Sequence, residues 1–457
     1  MNSGALALDR GKLRVCRLLK RIPILEFYRV VDQRAHLDLV KNTIGKTIGI
    51  YVHVPFCRST CMFCPYNRYV LRSRDEVEKY FGALTREVGI YGKLMEGAGL
   101  RVVEMHVGGG TPSFVSPKLY AKLLRHLSQF FEVRCGLGIE VNPEDFRRYE
   151  DVEEFYSAGV DEVSIGVQSF DKRVLKSLGR KHLREDSVNA IRNSLEAGFK
   201  WVSVDLMFLA PSIDGYVELT LGEKIEAFRG DLEKSYELGV HQITFYPTVI
   251  PWYSPGYRLV ELGRVRQEVD SIDRFVDEAM DFAEDRGLHI ARVYSISSKP
   301  YEYATVNLEM VGPLLGFGAG AWSNTGLYQY VNLHSVSHYI SAIERDALPA
   351  MYSRNMSASS RAWRLFFDQL TTARVDEEAF RSIGLKGMPL KMKLLLKVME
   401  LNSLVRRDGS TYRLTRRGIK EVYKFVTNYI IEVPIKATGL FIQVSRSEDY
   451  PEVVKLS

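Results

Sequence analysis

Short apolar runs rich in Val and Ile recur along the middle of the chain: Thr47–Val54, Val102–Val107, Leu137–Val141, Glu162–Val167, Trp201–Phe208 and His241–Phe245. Between them apolar residues fall at helical spacing, as in Asp75–Leu94, Pro117–Phe130, Asp186–Ala197 and Lys224–Leu238. Alternating strand and amphipathic helix predict parallel strands joined by crossover helices. Six such units in succession predict an α/β fold, a partial (β/α)6 barrel of the TIM type. The polar residues able to do chemistry cluster just after these strands: His53 to Cys64, Gly108 to Thr111, Glu140 and Asn142, Gln168, Asp205 and Tyr246. In barrels the C-terminal strand ends form the active-site face, so these positions are expected to converge on one mouth.

The flanks read differently. Residues 1–45 form an N-terminal extension with helical spacing at Leu13, Val15, Leu18 and Leu19 and again at Ile24, Leu25 and Tyr28. Barrel and closing segment together span 46–350, the latter carrying a long helix over Val265–Arg286 and the glycine-rich run Gly316–Ala321. Residues 355–430 predict a winged-helix-like C-terminal domain: helices near Ala358–Leu370, Asp376–Ser382 and Leu390–Glu400, a hairpin over Leu404–Leu414 around Asp408-Gly409, and a helix from Arg416. A tail, 431–457, follows.

Composition narrows the function classes. The net charge of +6 on 457 residues is mild, and solvated surface charge explains it. Arg406, Arg407, Arg413, Arg416 and Arg417 lie in the predicted winged-helix-like domain, yet nothing else points to nucleic acid, which is not expected as a partner. No apolar run approaches the roughly 18 residues of a membrane span. The N-terminus lacks the order of a secretory signal, so the expected location is cytoplasmic. Of five cysteines three fall between Cys57 and Cys64, while Cys16 and Cys135 are isolated. An odd, clustered set argues for metal or cluster ligation rather than a disulfide framework.

The cluster reads Tyr51-Val52-His53-Val54-Pro55-Phe56-Cys57-Arg58-Ser59-Thr60-Cys61-Met62-Phe63-Cys64-Pro65-Tyr66, a C-x3-C-x2-C spacing directly after a strand. Thiolates are the soft ligands of iron–sulfur clusters, and three of them on a four-iron cluster leave one iron open for chemistry. A structural zinc site would want four ligands; His53 or Cys135 are candidates for the fourth, but no second cysteine pair follows at finger spacing.

That spacing resembles the signature of the radical S-adenosylmethionine (SAM) superfamily. The surrounding run, with His106-Val107-Gly108-Gly109-Gly110-Thr111-Pro112-Ser113, Glu140-Val141-Asn142-Pro143, Ser164–Phe170, Leu178-Gly179-Arg180, Val204–Met207, Tyr246-Pro247 and Gly316–Ala321, is similar to the oxygen-independent coproporphyrinogen III oxidases and the related haem chaperones. The resemblance implies a [4Fe–4S] cluster on Cys57, Cys61 and Cys64, with SAM on the fourth iron. It also implies reductive cleavage of SAM to a 5′-deoxyadenosyl radical. It places Gly109, Gly110 and Thr111 at the methionine moiety and Glu140 at the ribose. Gln168, Arg180 and Asp205 would complete the SAM shell. Tyr51 and Phe63 would flank the cluster and nucleoside, and Thr248 and Trp322 would lie near adenine. A tetrapyrrole-type substrate, haem as a further ligand, and an electron donor such as flavodoxin or ferredoxin belong to the same expectation.

Two departures divide the group. The oxidases usually carry a fourth cysteine where this chain has Tyr66, and the chaperones a His-Asn-x-x-Tyr-Trp motif absent from Tyr301–Gly312. Radical SAM methyltransferases share the scaffold and stand as a further alternative.

Overall fold

The computed structural model describes residues 25–71, 73–300, 312–427, 432–447 and 450–456. Cys16, the spacing at Leu13 to Leu19 and residues 301–311 lie outside the described residues.

Seven strands run parallel: β1 (Thr47–Val54), β2 (Arg101–Gly109), β3 (Leu137–Val141), β4 (Val160–Gln168), β5 (Trp201–Phe208), β6 (Gln242–Pro247) and β7 (Leu314–Phe317). Their spatial order is β7-β1-β2-β3-β4-β5-β6. Six are the apolar runs of the sequence; β7, which leads into the glycine-rich run, adds a seventh beside β1. Helices α1 (Arg74–Leu94), α2 (Pro117–Leu127), α3 (Tyr149–Ser157), α4 (Arg184–Glu196) and α5 (Leu221–Glu237) cover the crossovers, and α6 (Ile272–Asp285) precedes β7. Branched side chains such as Ile50, Val52, Val107, Ile139, Val163 and Val204 fill the sheet–helix layer with almost no exposure. Burial on both faces of a parallel sheet is why these strands read as continuous apolar runs. The sheet is an open partial barrel, not closed on itself among the described residues.

Antiparallel strands extend both edges. His289–Arg292 and Ser295–Ser297 follow β6, while Trp322–Asn324, Tyr328–Asn332, Ala350–Asn355, Leu25–Arg29 and Val453–Leu456 follow β7. Leu25 and Tyr28, expected on a helix, are therefore strand residues: Phe27 between them is fully buried, and the strand is held between Ala350–Asn355 and the C-terminal Val453–Leu456. Only long-range pairing reveals that preference, because the segment is too short for periodicity to decide. The helix expected over Val265–Arg286 begins only at Ile272, since Val265 pairs with Ile213 as a strand.

Residues 358–427 contain helices Ala358–Thr371, Leu390–Leu401 and Arg416–Val426 and a small sheet ordered Arg374–Asp376, Thr411–Leu414, Val405–Asp408. The helix expected from Asp376 is reduced to Ala379–Ser382, because Arg374–Asp376 joins the hairpin as a third strand. Gly409 takes φ +60° in the two-residue turn between Asp408 and Thr411. This segment packs against the open end of the barrel. Tyr423 Oη donates to Phe245 O at the end of β6 (2.9 Å), and the buried Arg292 Nη1 donates to Asp368 Oδ1 (2.8 Å). Arg416 pairs with Asp277 and Asp281, and Lys424 with Asp273, across to α6. No described helix is long and apolar enough to cross a membrane.

A candidate radical chemistry site at the strand ends

The cysteine loop leaves the C-terminal end of β1. On β1 itself Tyr51 and His53 share a side, as alternate residues do. His53 Nε2 must donate to Asn67 O (3.0 Å), because a carbonyl only accepts. Burial holds its pKa below the usual value, so Nδ1 is unprotonated and accepts from Tyr51 Oη (2.9 Å). The bond from His53 to Asn67 ties the chain before Cys57 to the chain after Cys64.

Cys57 is buried, whereas Cys61 and Cys64 are partly exposed. Burial pushes the Cys57 thiol up to about 12, against a hydrogen bond with Thr111 that lowers it. Burial likewise raises Cys64, opposed by the charge of Arg68, whose Nη1 donates to Cys64 O (2.7 Å). Arg180 Nη1 reaches Cys61 Sγ (3.4 Å). Its other contacts fix it: Nη2 donates to Asn142 Oδ1 (2.9 Å) and Gly166 O (3.1 Å), and Nε to His182 Nδ1 (3.3 Å). No three His, Cys, Asp or Glu side chains among the described residues converge as a ligand set for one ion. A four-iron cluster does not require it, since each thiolate binds a different iron. Three thiols on one loop, with Arg180 Nη1 reaching Cys61 Sγ and the charge of Arg68 opposing the upward shift of Cys64, fit such a cluster.

The glycines after β2 have a reason internal to the protein. Gly110 N donates to Val54 O (2.8 Å) and Thr111 N to Phe56 O (2.7 Å), which continues strand pairing into the cysteine loop. A Cβ on Gly110 would stand 2.6 Å from Phe56 O, and one on Gly109, at φ +114°, 2.5 Å from His53 Cε1. Glycine lets the two loops touch backbone to backbone.

Acidic groups line the adjoining strand ends. Glu140 on β3 accepts from Gly109 N (3.1 Å) and lies 3.5 Å from His106 Nε2. Asp205 on β5 accepts from Ser164 Oγ (3.2 Å); burial, then the charge of Glu140, pushes its carboxyl up to about 7. Gln168 ends β4 at φ +63°, the left-handed region. Tyr51, Cys57, Cys61, Cys64, Gly109, Gly110, Thr111, Glu140, Gln168 and Asp205 thus lie on or just after the successive strands β1 to β5, with Arg180 on the loop before α4.

Three other candidates are placed differently. Phe63 packs on the apolar cluster of Val174, Leu178 and Met207. The Thr248 hydroxyl, fully buried, is spent on Phe208 O (2.9 Å). The Trp322 ring packs edge-on to Phe27 (5.4 Å) and against Phe441 (6.0 Å), among the terminal segments.

Sequence reading missed Asn67, Asp231 and Glu87. Asp231 on α5 accepts from Ser169 Oγ (2.6 Å) and Phe170 N (2.7 Å), holding the turn after Gln168. The available signal was an acidic residue at an apolar-face position: Asp231 among Phe228, Leu232 and Ser235, and Glu87 among Leu84, Val88 and Tyr91.

The radical SAM superfamily model matches residues 51–218. The haem chaperone HemW of Bacillus subtilis is 25% identical over 383 residues, covering 80% of this chain and 95% of HemW. The oxygen-independent coproporphyrinogen III oxidase of Pseudomonas aeruginosa is 23% identical over 389 residues, covering 82% of this chain and 83% of the oxidase. Among solved structures, coproporphyrinogen III oxidase (HemN) from Escherichia coli aligns over 90% of this chain and 98% of its own, with TM-score 0.73 at 21% identity, a likeness of fold. A radical SAM domain implies a [4Fe–4S] cluster and SAM. Residues 51–218 thus match the radical SAM superfamily, and the chain is similar over most of its length to the haem chaperone HemW and to an oxygen-independent coproporphyrinogen III oxidase.

Proposed function

We propose that this chain is a radical SAM enzyme that acts on a tetrapyrrole-type substrate, with oxidation of coproporphyrinogen III as the reaction to test first. The observation that carries the reading is the loop of Cys57, Cys61 and Cys64 at the C-terminal end of β1, with Thr111 against Cys57 and Arg180 against Cys61. When bound, the cluster and SAM supply one-electron cleavage of the sulfonium and the 5′-deoxyadenosyl radical that abstracts hydrogen from an unreactive C–H bond.

The chain's own residues do the rest. Cys57, Cys61 and Cys64 would lose their protons to become ligands, with the charge of Arg68 opposing the upward shift of Cys64 and Arg180 Nη1 placed at Cys61 Sγ. Glu140, already orienting Gly109 N, keeps lone pairs for ribose hydroxyls. Asp205, its carboxyl pushed up to about 7 by burial and then by the charge of Glu140, can accept a hydrogen bond when ionised and donate one when protonated. Gln168 and Arg180 close the shell from β4 and the loop after it, and an external donor of the flavodoxin or ferredoxin class delivers the electron.

A second reading, haem chaperone, is supported by the 25% identity to HemW across 80% of this chain and by Tyr66 at the oxidases' fourth-cysteine position. A methyltransferase on the same scaffold has no specific observation in its favour. The test is anaerobic incubation of iron- and sulfide-reconstituted protein with SAM, dithionite and coproporphyrinogen III, read by mass spectrometry. A product lighter by two carbon dioxides and four hydrogens supports the oxidase. Deoxyadenosine with unchanged porphyrinogen rejects that substrate, and tight haem binding that survives Cys64→Ala then supports the chaperone. No SAM cleavage at all sinks the radical reading.

A further inference from the structure

Helix α1 carries a carboxylate that none of the chemistry above uses. Glu87 is fully buried, on the helix face that otherwise bears Tyr80, Leu84, Val88 and Tyr91. Such a charge survives in a core only where donors surround it. Glu87 has three. Gly318 N (2.9 Å) and Tyr339 Oη (2.6 Å) donate to Oε2, and Asn332 Nδ2 (2.7 Å) donates to Oε1. Burial still raises its pKa to about 7, with the three donors pulling the other way.

The donors show what the carboxylate holds. Gly318 lies in the glycine-rich turn after β7, at φ +101°, and Asn332 Nδ2 also donates to its carbonyl (3.1 Å). The next residue, Ala319, donates from N to Tyr80 Oη (2.8 Å) and accepts at O from Asn67 Nδ2 (3.2 Å). Tyr80 Oη in turn donates to His53 O (2.7 Å). The turn therefore touches His53 through Tyr80, and Asn67 directly. His53 and Asn67 stand on either side of the cysteine loop and are bonded to each other. The fit is tight: a Cβ on Gly318 would stand 2.5 Å from Tyr80 Oη and 2.6 Å from His53 O, and one on Gly320 2.7 Å from Asn67 Nδ2.

We infer that Glu87 is a positioning residue for the cysteine loop: it seats the glycine-rich turn, and the turn, through Tyr80 and Asn67, holds the two ends of the segment that carries Cys57, Cys61 and Cys64. This deepens the reading of that segment as the cluster loop. Its effect is on the order of the loop in the protein alone, before any cluster is present. An amide replaces the carboxylate poorly, because in either orientation its Nε2 would present hydrogens to Asn332 Nδ2 or to Gly318 N, which only donate.

The test uses metal-free full-length protein and iodoacetamide, with the alkylation rate of each cysteine read by peptide mass spectrometry. Cys135 is the internal control; it lies near Glu104, Asp161 and Glu162, by the starts of β2 and β4. Glu87→Gln is expected to speed alkylation of the buried Cys57 at least tenfold relative to Cys135, with far-ultraviolet circular dichroism unchanged. Tyr80→Phe, which deletes only the link to His53 and Ala319, is expected to act in the same direction, and it decides the matter by the same ratio if Glu87→Gln yields no folded protein. A Cys57 rate that stays at the wild-type value, or rises in step with Cys135, overturns the inference by showing no role or a global one. Because neither cluster nor SAM is present, the outcome is independent of whether the wild-type protein cleaves SAM.

Discussion

Replacing Gly109 with Ala tests why the glycine-rich end of β2 is glycine. At φ +114° an L side chain is strained, at a cost of about 1–3 kcal/mol. The added Cβ would stand 2.5 Å from His53 Cε1 and 2.7 Å from its Nδ1. Carbon atoms in contact prefer roughly 3.5–4.0 Å, so something must yield by about 1 Å. His53 cannot swing freely, since both ring nitrogens are bonded, to Tyr51 Oη and Asn67 O. Moving the ring forfeits at least one of these buried bonds, about 1–2 kcal/mol. Together Gly109→Ala is expected to destabilise by about 2–5 kcal/mol. Gly230→Ala is the matched control. It lies exposed on α5 with nothing within 4 Å of an added Cβ, and is expected to stabilise by about 0.5–1 kcal/mol. Urea unfolding of metal-free protein, followed by circular dichroism, measures both. A Gly109→Ala midpoint equal to wild type would refute the packing argument and return the glycine's role to ligand approach alone.

Asp231→Asn is expected to gain stability relative to wild type as pH rises from about 5 to 8. The folded pKa of Asp231 is raised to about 7, so between the unfolded value and 7 the folded state holds the extra proton and loses stability with rising pH, on the order of 1–3 kcal/mol in all. Asn keeps the bond from Phe170 N at Oδ1 and reverses the other, its Nδ2 donating to Ser169 Oγ, without that titration, so a pH-independent difference in urea midpoint would contradict the assignment. Tyr423→Phe should cost about 1–2 kcal/mol by leaving Phe245 O without its donor while the parallel rings (centroids 5.9 Å) remain stacked; a cost near zero in thermal unfolding counts against this docking bond. Arg416→Ala, at the exposed pairs with Asp277 and Asp281, should cost under about 1 kcal/mol and nothing measurable in 1 M salt.

Much of the scaffold was legible along the chain. Three of the six strands expected from the sequence, Thr47–Val54, Leu137–Val141 and Trp201–Phe208, run between the very residues that bound the apolar stretches. Strands buried on both faces are mostly apolar, so local hydrophobicity marks them. The cysteine spacing was legible for a similar reason: side chains on one short loop are neighbours in sequence before they are neighbours in space. The strand-end polar residues were legible as a set, because parallel topology brings every C-terminal strand end to one side.

What only the tertiary structure decided is whatever depends on partners remote in sequence. Leu25–Arg29 is a strand because Val453–Leu456 and Ala350–Asn355 flank it, and Trp322 is packed by Phe27 and Phe441. Phe63 faces the cluster around Leu178 and Met207. Glu87 and Asp231 look like flaws in amphipathic helices until their donors, Gly318, Tyr339 and Asn332 in one case and Ser169 and Phe170 in the other, are seen to arrive from other elements. Periodicity reports which face of an element is buried; it carries no information about what the buried face meets, and a buried charge is stable or not according to that alone.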